Sequence, residues 1–169
     1  MTLQFLRPAE VDGAGNANTS RIVRDGGLAH RLPGGLATAD VLRILPRVVL
    51  YTTDHRPRSL PARVSFLTGA GGGDATAGTS GPVRLVTDRA VFGFGPGGAR
   101  LESVHPDEDE AGVRAETGFV FVGDDVPETA APTAEELAAL DELDPRALRE
   151  LELRATHVAA AARLAAAHT

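Results

Sequence analysis

The stretch "VTDRAVFGFGPGGARLESVHP", Val86 to Pro106, alternates apolar and polar residues on both sides of a glycine-rich turn. Alternation of period two sets one face of a strand on a core and the other toward solvent. "AVFGF" and "ARLESV" therefore read as two antiparallel strands joined by a four-residue turn, Gly95-Pro96-Gly97-Gly98. Four of the seven aromatic residues, Phe92, Phe94, Phe119 and Phe121, lie in or just beyond this hairpin, so the densest core is expected there.

Working outward toward the C-terminus, "DEDEAGVRAETG" crowds acids into the first turn of a short helix, where they suit the positive end of the helix dipole. Gly118 stands where a left-handed glycine would end that helix. "FVFV", Phe119 to Val122, reads as one more short buried strand. Thr133 and Glu136 have the form of a capping box and start a helix that runs to about Leu143. Asp144-Pro145 is a cap followed by a proline suited to a first helical turn, and predicts a second helix toward His168.

Toward the N-terminus, "VRLVT" precedes the hairpin as a further strand. "RVVLYTT" contains a β-branched, aromatic run from Val48 to Thr53 that reads as a buried strand, and "RVSFLT", Arg63 to Thr68, alternates like another. "GAGGGDATAGTSG", Gly69 to Gly81, is a low-complexity surface loop. A phosphate-cradling role would need a helix directly after it, whereas a strand follows. The whole pattern is mixed α/β: about seven strands, then helices, with an α/β domain over 1–130 and a helical tail over 131–169.

Composition excludes several chemistries. There is no Cys, hence no thiol nucleophile, disulfide or Cys-ligated zinc. All 17 basic residues are Arg, so Schiff-base chemistry and a P-loop Lys are absent as well. The net charge of −6 and the lack of a basic cluster weigh against nucleic-acid binding. No apolar run approaches the ~18 residues of a membrane span, and the expected location is the cytoplasm. The five His residues are scattered without metal-ligand spacing, so no metal site is expected.

Three stretches hold candidate chemistry. "TTDHRPR" gathers Asp54, His55, Arg56 and Arg58 just after a buried strand, as a crevice wall or as a charged surface loop. "GNAN" places Asn16 and Asn18 on a glycine turn, and "LPGGLATAD" concentrates backbone N–H groups around Gly34 and Gly35. Such groups can bind a carbonyl oxygen or a phosphate, or can serve turn chemistry alone.

The order of these pieces resembles the later part of the β (B) subunit of class I CoA-transferases. The glutaconate CoA-transferase type, with its actinobacterial relatives that hydrolytically open acyl-CoA rings, is the nearest kind. "AEVDGAGNANTS" looks like the family turn Q-V/I-D-x-x-G-N-x-N, and "RLPGGLATAD" like its loop R-L/F-x-G-S-G-G-A-N-D. "GPVRLVTDRAVFGF" and "LESVHPDEDEAGVRAETGF" look like its G-P-x-x-V-V-T strand pair and its L-x-S-L/Y-H-P segment. The resemblance covers roughly residues 8–154 and is most specific from 81 to 121.

The resemblance implies a partial CoA-transferase fold, related to that of sugar-phosphate isomerases, with a mixed sheet and C-terminal helices. It implies a β-like subunit that acts with an α-type partner on an acyl-CoA and a carboxylic acid, with coenzyme A as substrate and no tightly bound cofactor. Acyl-CoA hydrolysis, or a degenerate acyl-CoA-binding or structural role, are the alternatives. Asn16, Asn18, Gly34 and Gly35 would form the acyl-CoA and oxyanion loop. In two respects the chain departs from the family. The family's N-terminal half-domain and its nucleophilic Glu have no counterpart here, and Glu10 stands where the family has Gln or similar. The loop also reads "PGGLATAD", so Leu36 and Ala37 replace paired glycines and Leu36 is expected to crowd the acyl carbonyl.

Overall fold

The structure, a computed structural model, describes residues 3–72 and 81–149. The chain separates into two compact units, Met1–Thr129 and Ala130–Thr169. The first is built on a five-stranded sheet of order β1-β6-β7-β8-β9, comprising Gln4–Leu6, Val48–Tyr51, Arg84–Val86, Ala90–Gly95 and Gly98–Val104. β1, β6 and β7 run parallel, and β8 and β9 continue the sheet antiparallel. Two small antiparallel pairs complete the strands. They are β2 (Glu10–Val11) with β3 (Ala17–Asn18), and β4 (Arg21–Arg24) with β5 (Gly27–Arg31). The short helices α1 (Thr38–Ile44) and α2 (Glu110–Glu116) follow β5 and β9.

The hairpin holds the core, as its alternation predicts. Phe92 is fully buried and meets Phe119 and Phe121 edge-on, at ring-centroid distances of 5.6 and 5.1 Å. Edge-to-face geometry brings the positive rim of one ring onto the negative face of another. Leu50 and Leu85 of the parallel strands, Leu101 of β9 and Val113 of α2 are buried in the same cluster. The turn is tighter than expected. Gly95 pairs with Gly98 around Pro96-Gly97, and Gly98 takes a positive φ of 88°, the place of the left-handed residue that follows the turn in a G1-bulge hairpin.

Two predicted strands are absent. "RVSFLT" is irregular because its donors are taken by carboxylates rather than a ladder: Val64 N–H donates to Asp12 and Ser65 N–H to Glu10. "FVFV" contributes a single bridge, Val122 to Arg100, while Val120 lies 92% exposed. Helix α2 starts where the acids predict, with the Asp109 carboxylate accepting from Gly112 N–H. It ends on an extended Thr117 rather than a left-handed glycine. Gly118 instead serves a close approach: a Cβ there would fall 2.6 Å from the Leu60 carbonyl oxygen.

In the second unit, α3 (Ala134–Leu143) opens with the predicted capping box, Glu136 N–H donating to Thr133 Oγ1 and Thr133 N–H to the Glu136 carboxylate. Asp144 accepts from the N–H groups of Leu148 and Arg149. The rest of the predicted second helix lies outside the described residues, as does most of the Gly69–Gly81 loop. No helix among the described residues is long and apolar enough to cross a membrane.

Candidate functional site

The loop from Leu32 to Thr38 links β5 to α1 and is pinned at both ends. Leu32 N–H donates to Ser20 O and Gly34 N–H to Thr19 O, each at 3.0 Å. Thr38 N–H closes the turn onto Gly35 O at 2.7 Å. Gly34 has a φ of 115°, a region for glycine. Gly35 packs so closely that an added Cβ would sit 2.9 Å from the Thr68 methyl. Among the described residues, the N–H groups of Gly35, Leu36 and Ala37 find no acceptor, and no side chain caps the start of α1. Leu36 adopts a φ of 39° and is fully exposed, so it does not pack into the loop.

The loop walls a cavity of about 420 Å³. Leu6 to Ala9, Thr19 and Thr38 line it too, and no carboxylate does among the described residues. Arg7, on this wall, donates to Thr53 Oγ1. A second cavity of about 350 Å³ shares Leu32, Pro33 and Gly34 and adds Arg21, Arg31 and Phe66, with the Arg21 guanidinium 4.1 Å above the Phe66 ring.

Gly34 and Gly35 thus line the cavity, whereas Asn16 and Asn18 stand behind the loop and do not. Asn16 donates to Asp12 and accepts from Gly71 N–H. Asn18 is fully buried. Its amide donates to Glu10 Oε2 and Arg21 O, both at 2.7 Å, and its oxygen accepts from the N–H groups of Ser20 and Arg21. These contacts fix Thr19 and Ser20, and through them the loop. Sequence reasoning passed over Asp12 and met Glu10 only as a departure from the family's Gln: both are buried carboxylates, each collecting donors from two segments. Their signal was the acidic pair bracketing Val11 directly before the Asn16–Asn18 turn.

The Asp54–Arg58 stretch is closed on itself. Burial pushes the Asp54 carboxyl up, but hydrogen bonds from Arg58 and Ser59 and the two arginine charges outweigh it and hold the group below its usual range. His55 is buried, its Nδ1 2.8 Å from Thr87 Oγ1 and its Nε2 2.8 Å from Thr117 Oγ1. Both hydroxyls also reach a backbone acceptor, Thr117 on Val113 O and Thr87 on Ala90 O. Burial holds the His55 pKa below its ordinary value.

A parallel half-sheet continued by an antiparallel hairpin, with a glycine loop leading into a short helix, is the architecture of CoA-transferase subunits. Glutaconate coenzyme A-transferase from Acidaminococcus fermentans superposes with a TM-score of 0.71 over 83% of this chain and 57% of that one, at 21% identity, a likeness of fold. The decarboxylase AibA/AibB reaches a TM-score of 0.76 at 29% identity, over 89% of this chain and 60% of that chain. Rhodococcus jostii RHA1 IpdAB reaches 0.77 at 26%, over 89% and 63%. In sequence, the chain is 31% identical over 152 residues to the B subunit of 3-oxoadipate CoA-transferase from Pseudomonas knackmussii, covering 84% of this chain and 58% of the relative. No family profile matches the chain. More particularly, the chain is similar in sequence and in fold to B subunits of the class I CoA-transferases. It spans about three fifths of the length of the relatives it matches.

Proposed function

We propose that the chain is the β-like subunit of a CoA-transferase, which works with an α-type partner to exchange CoA between an acyl-CoA and a carboxylate. The observation that carries this reading is the 31% identity over 152 residues to the B subunit of a CoA-transferase. In the reaction, a partner carboxylate attacks the thioester carbonyl, the C–S bond breaks and CoA leaves as the thiolate. That thiolate reopens the resulting anhydride to give an enzyme-bound thioester and the free carboxylate. The loop supports the step: the unpartnered N–H groups of Gly35, Leu36 and Ala37 are donors suited to the tetrahedral oxyanion. Asn18 acts as a positioning residue that holds Ser20 and, through it, the loop's backbone, while Asn16 fixes the Asp12 turn against Gly71. The nucleophile comes from outside the cavity wall, since the described lining offers no carboxylate and Glu10 and Asp12 are spent on structure.

The same missing carboxylate favours a second reading, an acyl-CoA-binding subunit without catalysis. Acyl-CoA hydrolysis needs only water in place of the second carboxylate. Assays of the chain mixed with α-type subunits separate the three. CoA exchange supports transfer, CoA release without a carboxylate acceptor supports hydrolysis, and acyl-CoA binding without turnover supports the non-catalytic role.

A further inference from the structure

We infer that Leu36 selects the acyl group, and that the group it selects is apolar and uncharged at its far end; this rests on the reading of the chain as a CoA-transferase subunit. Leu36 is disfavoured in two ways. Its φ of 39° crowds the Cβ of an L-residue against its own backbone. Its side chain is also fully exposed, leaving a large apolar surface in water. No contact within the described residues offsets either. A glycine would take the same φ without strain. The Leu side chain therefore has its use outside the folded chain, against something that comes to the loop.

The walls beside it say what that is. Leu36 stands on the 420 Å³ cavity with Leu6, Pro8, Ala9, Leu32 and Pro33, and the cation of that lining, Arg7, donates to Thr53 Oγ1. The unpartnered N–H groups of Gly35 to Ala37 belong to the same loop, so a thioester carbonyl held there would set its acyl carbons beside Leu36. Arg21 and Arg31, cross-strand neighbours, line the second cavity beyond Pro33 and Gly34 and not this one.

Calorimetric titration of the full chain with free CoA, hexanoyl-CoA and glutaryl-CoA tests this, with Leu36→Gly and Leu36→Ala alongside and each variant's melting curve recorded. Hexanoyl-CoA is expected to bind about tenfold more tightly than free CoA or glutaryl-CoA, the scale of one buried aliphatic side chain. Leu36→Gly should melt no lower than the wild type and should lose most of that tenfold difference, with Leu36→Ala intermediate. A preference for glutaryl-CoA, or a hexanoyl preference that survives in both variants, overturns the inference while leaving the subunit reading intact. If none of the three binds, the inference falls together with the reading it rests on.

Discussion

The Glu10 carboxylate accepts the Asn18 amide at 2.7 Å where neither side chain reaches solvent, the two being 5% and 0% exposed. Ser65 adds two more donors to the same oxygen, from its N–H and its hydroxyl, each at 2.8 Å. One carboxylate oxygen thereby ties β2, β3 and the 63–68 segment together behind the glycine loop. Glu10→Ala leaves those buried donors without an acceptor and is expected to cost about 2–3 kcal/mol. Glu10→Gln keeps a carbonyl oxygen and should cost about 1 kcal/mol. Urea unfolding of both variants checks the ordering, and equal losses would contradict it.

Gly35 tests how closely the loop is seated. An added methyl would lie 2.9 Å from Thr68 Cγ2. Gly35→Ala is therefore expected to destabilise by about 1–3 kcal/mol, the usual cost of overpacking. Adding Thr68→Ser removes that methyl while keeping the hydroxyl that bonds Ser20 Oγ at 2.8 Å and accepts from Thr19 N–H. The double variant should recover most of the loss in thermal melts. If it recovers nothing, the loop is not held by this contact.

His55 gives the fold a pH dependence of definite sign. Its folded pKa lies below the unfolded value of 6.5 because burial penalises the charged ring, an effect that the Asp88 charge opposes and the Arg89 charge reinforces. Between the two pKa values the unfolded chain binds more protons, so stability rises with pH there. The contribution is present above about pH 6.5 and is lost as the pH falls below it. Melting temperature measured from pH 7.5 down to about pH 5 should drop, and His55→Gln should show a shallower drop from a lower starting point. An identical slope in the variant would remove His55 as the cause.

Phe92 carries the densest packing, and Phe92→Ala is expected to cost about 3–5 kcal/mol. Against a typical total of about 5–15 kcal/mol, that removes a large share of the stability, and the melting curve followed by circular dichroism should shift well below that of the wild type.

The parts of the fold that rest on local pattern were legible in the sequence. β8 and β9 alternate because they lie half-exposed on one core, and the Thr133–Glu136 cap is written in four residues. Where tertiary partners override pattern, the reading failed. Arg63 to Thr68 alternates like a strand, yet Glu10 and Asp12 claim its N–H groups. Gly118 sits where a helix stop is expected, yet it is glycine because Leu60 leaves no room for a Cβ. At the candidate site, the glycines at 34 and 35 could be seen, because positive φ and close approach demand that residue type. The inward use of the Asn16 and Asn18 amides could not, since an amide reads alike whether it faces a ligand or a buried carboxylate.

Intact-mass spectrometry of the chain mixed with an α-type subunit and an acyl-CoA tests the central claim most directly. The account predicts a CoA adduct on the partner chain and none on this one, formed only when both are present. An adduct on this chain, or no adduct with any α-type subunit at saturating acyl-CoA, would contradict it.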